Sequence, residues 1–62
     1  MLQCSLSELI NLADIIRTER FLSEKYKKCS DGCSDPQLKE KLQKCAADHI
    51  NHCNTLEKLL SE

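Results

Sequence analysis

The sequence predicts an all-α chain: an antiparallel helical hairpin that pairs with a second copy into a four-helix bundle. Three observations lead there. The chain has 62 residues, with a single Gly and a single Pro that fall close together at Gly32 and Pro36. On either side run long stretches with apolar residues at helical spacing and none of the apolar–polar alternation of a strand. Both stretches also carry more apolar side chains than one helix–helix interface covers, and such a surplus signals self-association.

The first helix has a start signal. Ser5-Leu6-Ser7-Glu8 fits a capping box, in which Ser5 and Glu8 satisfy each other's backbone donors. A helix over about residues 6–30 follows. Its main stripe is Leu12, Ile15, Ile16, Leu22 and Tyr26, while Leu6, Ile10, Ala13 and Phe21 fall outside it and make up the surplus. The turn, about residues 31–35, holds all the punctuation. Gly32 is expected to close the first helix in the left-handed conformation that a Cβ makes costly. Asp35 then caps the second helix, and Pro36 occupies its first position, where no hydrogen bond is lost. That helix runs over about residues 36–60. Glu24 with Lys28, and Glu40 with Lys44, stand four apart with the acid first, as suits a solvated face.

Composition excludes several classes of function. Nine Lys and Arg against ten Asp and Glu give a net charge of −1, leaving no basic excess to neutralise phosphates. Two aromatic residues, Phe21 and Tyr26, make no platform for stacked bases. No nucleic-acid partner is therefore expected. The stretch Leu6–Ile16 is broken by Ser7, Glu8, Asn11 and Asp14, and it falls short of the roughly 20 residues of a membrane span. The N-terminus has no signal-peptide pattern, so a cytoplasmic setting with reduced thiols is the expectation. A single small domain also disfavours a self-contained enzyme with a deep pocket, and it calls for support from a partner chain, disulfides or a metal.

Polar residues stand where apolar ones belong. The second helix carries a 4-3-4-3 repeat through Leu38, Leu42, Cys45, His49, His52, Leu56 and Leu59, which reads as an inward seam. Cys45, His49, His52 and Cys53 share about one third of its circumference, at about 100° per residue. On the first helix the steps Leu9, Leu12, Ile16, Glu19, Ser23 and Tyr26 place Glu19 inside the apolar stripe. Antiparallel packing sets Glu19 near the height of Cys45 to His49, one turn (about 5.4 Å) from His52. A buried carboxylate is costly unless paired or coordinated. A metal, or a closed hydrogen-bond network, would resolve these groups together. The candidate metal ligands are Glu19, His49, His52, Cys45 and Cys53, a set suited to Fe, Zn or Cu rather than Mg²⁺ or Ca²⁺. Plainer readings stand beside this one. Glu19 pairs with Arg17 or Arg20 of another copy or faces water, the histidines bond to carbonyls or Asp48, and the two cysteines serve as small hydrophobes.

Five cysteines reach the range of disulfide scaffolds, but the odd count and the helix signals do not fit one. Cys29 and Cys33 flank Gly32; a bridge, a metal shared with another chain and no role at all remain open for them. Cys4, ahead of the first helix, is expected at the surface, free to cross-link copies on oxidation.

These residues resemble a family. Glu19, Tyr26, the turn Asp35-Pro36-Gln37-Leu38, and Asp48-His49-Ile50-Asn51-His52 with Leu56 look like one half of a ferritin-like four-helix bundle. Within that superfamily, TERFLSEKY and SDPQLKEKLQ are similar to the spore coat protein F-like group, and the likeness spans about residues 6–60. The resemblance implies a di-iron or di-manganese carboxylate site built from a helix-one Glu and a Glu-x-x-His on helix two. Glu19 matches the first ligand and His52 the motif's His. His49 stands at the motif's Glu, so a neutral ligand replaces the bridging carboxylate on which ferroxidase-type chemistry depends. A structural, spore-associated role is what the coat-protein likeness implies. KCAADHINHC also has a faint likeness to cysteine-lined bundles that store Cu(I), although those line the core with many more thiols.

Three functions are therefore weighed. The first is a structural assembly module that pairs with itself. The second is a metal-binding or metal-storage bundle, and the third a small oxidase with a di-metal centre. No Gly-rich phosphate loop and no Ser-His-Asp set exists, while a Cys–His nucleophile is left open by spacing alone.

Overall fold

A computed structural model describes residues 4–61 and contains two helices, α1 (Leu6–Asp31) and α2 (Pro36–Leu60). Both start as the sequence indicates. The Ser5 hydroxyl accepts from the Glu8 amide at 3.1 Å, and the Ser5 amide donates to Glu8 Oε1 at 3.0 Å. Together they satisfy two donors that a helix N-terminus otherwise leaves orphaned. Asp35 Oδ1 accepts from the amides of Gln37 and Leu38 at 2.9 and 3.3 Å, with Pro36 opening the helix.

The end of α1 departs from expectation. Gly32 has φ −91° and ψ 3°, on the right-handed side, so no left-handed residue closes the helix. The chain leaves instead through a tightened last turn. The Gly32 amide reaches the Lys28 carbonyl at 3.3 Å and the Cys33 amide reaches the Ser30 carbonyl at 3.1 Å. A Cβ on Gly32 would come no nearer than 3.9 Å to the Cys29 carbonyl. The position does not require glycine.

The short turn forces the helices to lie antiparallel, side by side in a rod of 45 × 17 × 11 Å. Their contact line is set by small residues. Ser23 Oγ donates to the Ala46 carbonyl at 2.8 Å across the hairpin, a distance that a larger side chain at either position would prevent. On α1 the inward positions are Leu12, Ile16, Glu19, Ser23 and Tyr26, all buried or half-buried, whereas Leu9 at the end of that line and Ile15 of the main stripe are exposed. On α2 the line runs through Leu42, Ala46, His49, Cys53, Leu56 and Leu60. This shifts the seam read from the 4-3-4-3 repeat. Leu38, His52 and Leu59 of that repeat are exposed, so the repeat forms one flank of α2 and meets α1 along its edge.

Little of the chain is fully enclosed. Ile16, Cys53 and Ser30 are the buried residues among those described, while Leu6, Ile10, Ile15, Phe21 and Leu38 are each at least half exposed. The two acid-first pairs on the outer faces, Glu24 with Lys28 and Glu40 with Lys44, do not close into ion pairs; Asp14 with Arg17 and Arg20 with Glu57 do. No helix among the described residues is long and apolar enough to cross a membrane.

Candidate metal centre

Glu19 stands halfway along α1, and the face it occupies meets the middle of α2. His49 and His52 are one short turn apart on that helix, so their rings emerge on the same side. Both converge on one oxygen. His49 Nδ1 lies 2.5 Å and His52 Nδ1 3.3 Å from Glu19 Oε2. Since a carboxylate only accepts, both rings present Nδ1–H to it. One donor atom from each of the three residues can be chosen so that all lie within 4.8 Å of one another. Two histidines three apart on one helix thus reach the carboxylate of the other directly, closer for His52 than the one-turn offset expected.

The three side chains differ in how firmly they are held. Glu19 is 20% exposed and His49 23%, whereas His52 is 59% exposed. His49 is also stacked on Tyr26, with centroids 5.3 Å apart and rings 9° from parallel. His52 meets the edge of His49 at 5.7 Å in a near-perpendicular arrangement. The hydrogen bond from His49 holds the Glu19 carboxyl below its usual range against the opposing effect of burial, with His52 adding to the lowering. The carboxylate is therefore ionised and available as a hard donor beside two imidazoles. Such a donor set suits Zn²⁺, Fe²⁺ or Cu²⁺.

The two cysteines named with this group lie elsewhere. Cys53 is fully buried, and its thiol donates to Glu57 Oε1 at 3.3 Å, while Arg20 Nη2 approaches the sulfur at 3.5 Å. Burial, then the Glu57 hydrogen bond, push this thiol above its ordinary pKa, away from the thiolate that a metal needs. Cys45 is half-buried and outside the three-residue cluster. All five cysteines are free thiols, Cys29 and Cys33 included, and Cys4 is half-buried rather than exposed.

Two features were not apparent from spacing. Tyr26 was legible as a seam residue but not as the ring that supports His49. Arg20 pairs with Glu57 across the hairpin, covering Cys53; in sequence, both look like ordinary solvated charges. Beside the cluster, an apolar groove of about 280 Å³ is lined by Phe21, Leu22, Lys25, Tyr26, Cys29 and Leu42. Groove and cluster share Tyr26 and one flank of the hairpin. At helical spacing that flank continues through Ile15, Glu19, Leu22 and Tyr26 on α1, and on α2 through the repeat from Leu38 to Leu59. Glu19 is the one Asp, Glu, Lys or Arg among these positions, with Lys25 at the groove beside them.

No family model, curated protein or solved structure matches the chain.

Proposed function

We propose that the chain is a self-associating helical hairpin, an assembly module that pairs two-fold into a four-helix bundle around a transition metal at the Glu19, His49 and His52 cluster. One observation carries this reading: the three donors converge at mid-length, on the flank that also presents Ile15, Leu22 and Tyr26. A lone hairpin with so few enclosed residues is short of core, and apolar flanks of this kind are where copies meet. Both the ferritin-like likeness and a spore-coat role within the cytoplasm belong to this proposal and draw their support from the hairpin form and the quoted motifs.

Metal storage through thiols is the second reading. The enclosure of Cys53 under Arg20 and Glu57 gives it less support. Metal analysis of the purified chain, run beside light scattering for mass, tests the proposal. A dimer carrying zinc, iron or copper that is lost in Glu19→Ala is the expected result. A metal-free monomer, or a metal content unchanged in His49→Ala plus His52→Ala, would overturn it.

A further inference from the structure

We infer that metal binding and pairing are one linked event: a single ion on the two-fold axis, held by Glu19 and His52 of each copy, with His49 positioning the carboxylate. The inference rests on the metal-holding reading above and adds the partner's contribution to the site.

The three donors are held unequally. His49 is stacked on the Tyr26 ring, 23% exposed, and binds Glu19 at 2.5 Å, so its ring is held in place as a support for the carboxylate. His52 is the looser and more exposed donor, 3.3 Å from the carboxylate and 59% accessible. One hairpin thus offers two ready donors, Glu19 and His52, on an open flank. A four-coordinate ion such as Zn²⁺ needs four. A second copy supplies the other two without any rearrangement of sequence, because the cluster lies near the middle of a 45 Å rod. A two-fold axis perpendicular to the helices there lays flank on flank and brings each cluster opposite its copy. A cluster near either end would be carried away from its copy by the same operation.

The apolar surroundings fit the same partner. The axis inverts the rod, so the groove beside Leu22, Tyr26 and Leu42 faces the other copy's end of the flank, where Ile15 and Leu59 are exposed. Linkage follows from the shared donors. An ion that binds the pair better than the single hairpin must tighten pairing by the same factor by which pairing tightens the ion.

Equilibrium sedimentation of the full chain, with and without Zn²⁺, tests this. Expected are one zinc per two chains and a dimer dissociation constant lower by about tenfold or more, reversed by EDTA. His52→Ala keeps metal-free pairing but loses the zinc response. Ile15→Asp, at an exposed position that the fold tolerates, weakens both pairing and zinc binding by about tenfold or more. Co²⁺ in place of zinc shows no thiolate charge-transfer band. Zinc bound one per chain with pairing unchanged overturns the linkage alone and leaves the metal-holding reading standing. Equal zinc affinity in Ile15→Asp also overturns the linkage, and a thiolate band with cobalt overturns the Glu19 and His52 donor set. Absence of zinc binding overturns it together with the reading on which it rests.

Discussion

His49 Nδ1 stands 2.5 Å from Glu19 Oε2 and binds the two helices through a charge-assisted contact at mid-hairpin. This contact, more than any other, lowers the pKa of the Glu19 carboxyl. A carboxylate whose folded pKa is depressed contributes stability that is present above its unfolded value and lost as pH falls through the folded one. Glu8, lowered by its bonds to Ser5, contributes in the same direction. The urea midpoint is therefore expected to fall as pH drops below about 4.5, the ordinary carboxylate value. Glu19→Gln flattens that acid limb while leaving the Glu8 part, as unfolding curves at several pH values will show. An acid limb unchanged in Glu19→Gln would remove the contact from the account of stability.

Cys53 gives the opposite limb. Its thiol pKa is raised by burial and by the Glu57 acceptor, so the unfolded chain loses the proton first as pH rises. Stability is full below the ordinary value of 9.0 and declines above it. The same enclosure makes Cys53 the slowest thiol to alkylate, reacting only when the hairpin opens, whereas exposed Cys29 reacts first. Glu57→Ala uncovers the sulfur and speeds Cys53 modification selectively. Mass spectrometry of partially alkylated protein reads the order directly.

The close approach at Ser23 and Ala46 predicts a strong size limit. Ala46→Leu forces the helices apart at the Ser23 hydroxyl bond, and overpacking of this kind costs about 1–3 kcal/mol. Leu38→Ala, on the exposed flank, costs the single hairpin much less. Chemical unfolding at concentrations below pairing separates the two.

Gly32→Ala tests the helix end. The glycine's backbone angles are open to alanine and its Cβ position meets only ordinary contacts. Losing the glycine's freedom in the unfolded chain then stabilises the hairpin by about 0.4–1 kcal/mol. A loss of stability in the thermal midpoint would restore the left-handed turn that the sequence suggested.

That expectation illustrates what the sequence holds and what it does not. The helix starts were legible because Ser5, Glu8, Asp35 and Pro36 act on amides within three residues of themselves. Glu19, His49 and His52 were legible for a different reason: a carboxylate inside an apolar stripe needs a partner, and the turn determines which residues of α2 can reach it. The seam was not, because a 4-3-4-3 repeat marks an apolar side of a helix without saying whether its centre or its edge meets the neighbour. Small residues at Ser23, Ala46 and Cys53 decide that, through packing that no local pattern reports. The Arg20–Glu57 contact was hidden likewise, since the two residues are brought together only by the hairpin itself.

The ring protons supply the sharpest prediction. Without metal, both histidines present Nδ1–H to Glu19. A metal on His52 takes a ring lone pair, at Nε2 with Nδ1–H kept or at Nδ1 with a change of tautomer, and either moves the nitrogen signals of that ring. His49, if it positions the carboxylate rather than binding the ion, keeps Nδ1–H and its bond to Glu19. Nitrogen-15 spectra of the imidazoles in a zinc titration distinguish the two rings. A shift of the His52 ring nitrogens with those of His49 unmoved is expected; a shift at both would make His49 a third ligand of the same ion. Tyr26→Leu removes the ring beneath His49 and is expected to broaden the His49 signal and weaken zinc binding, because the carboxylate it steadies is then free to turn.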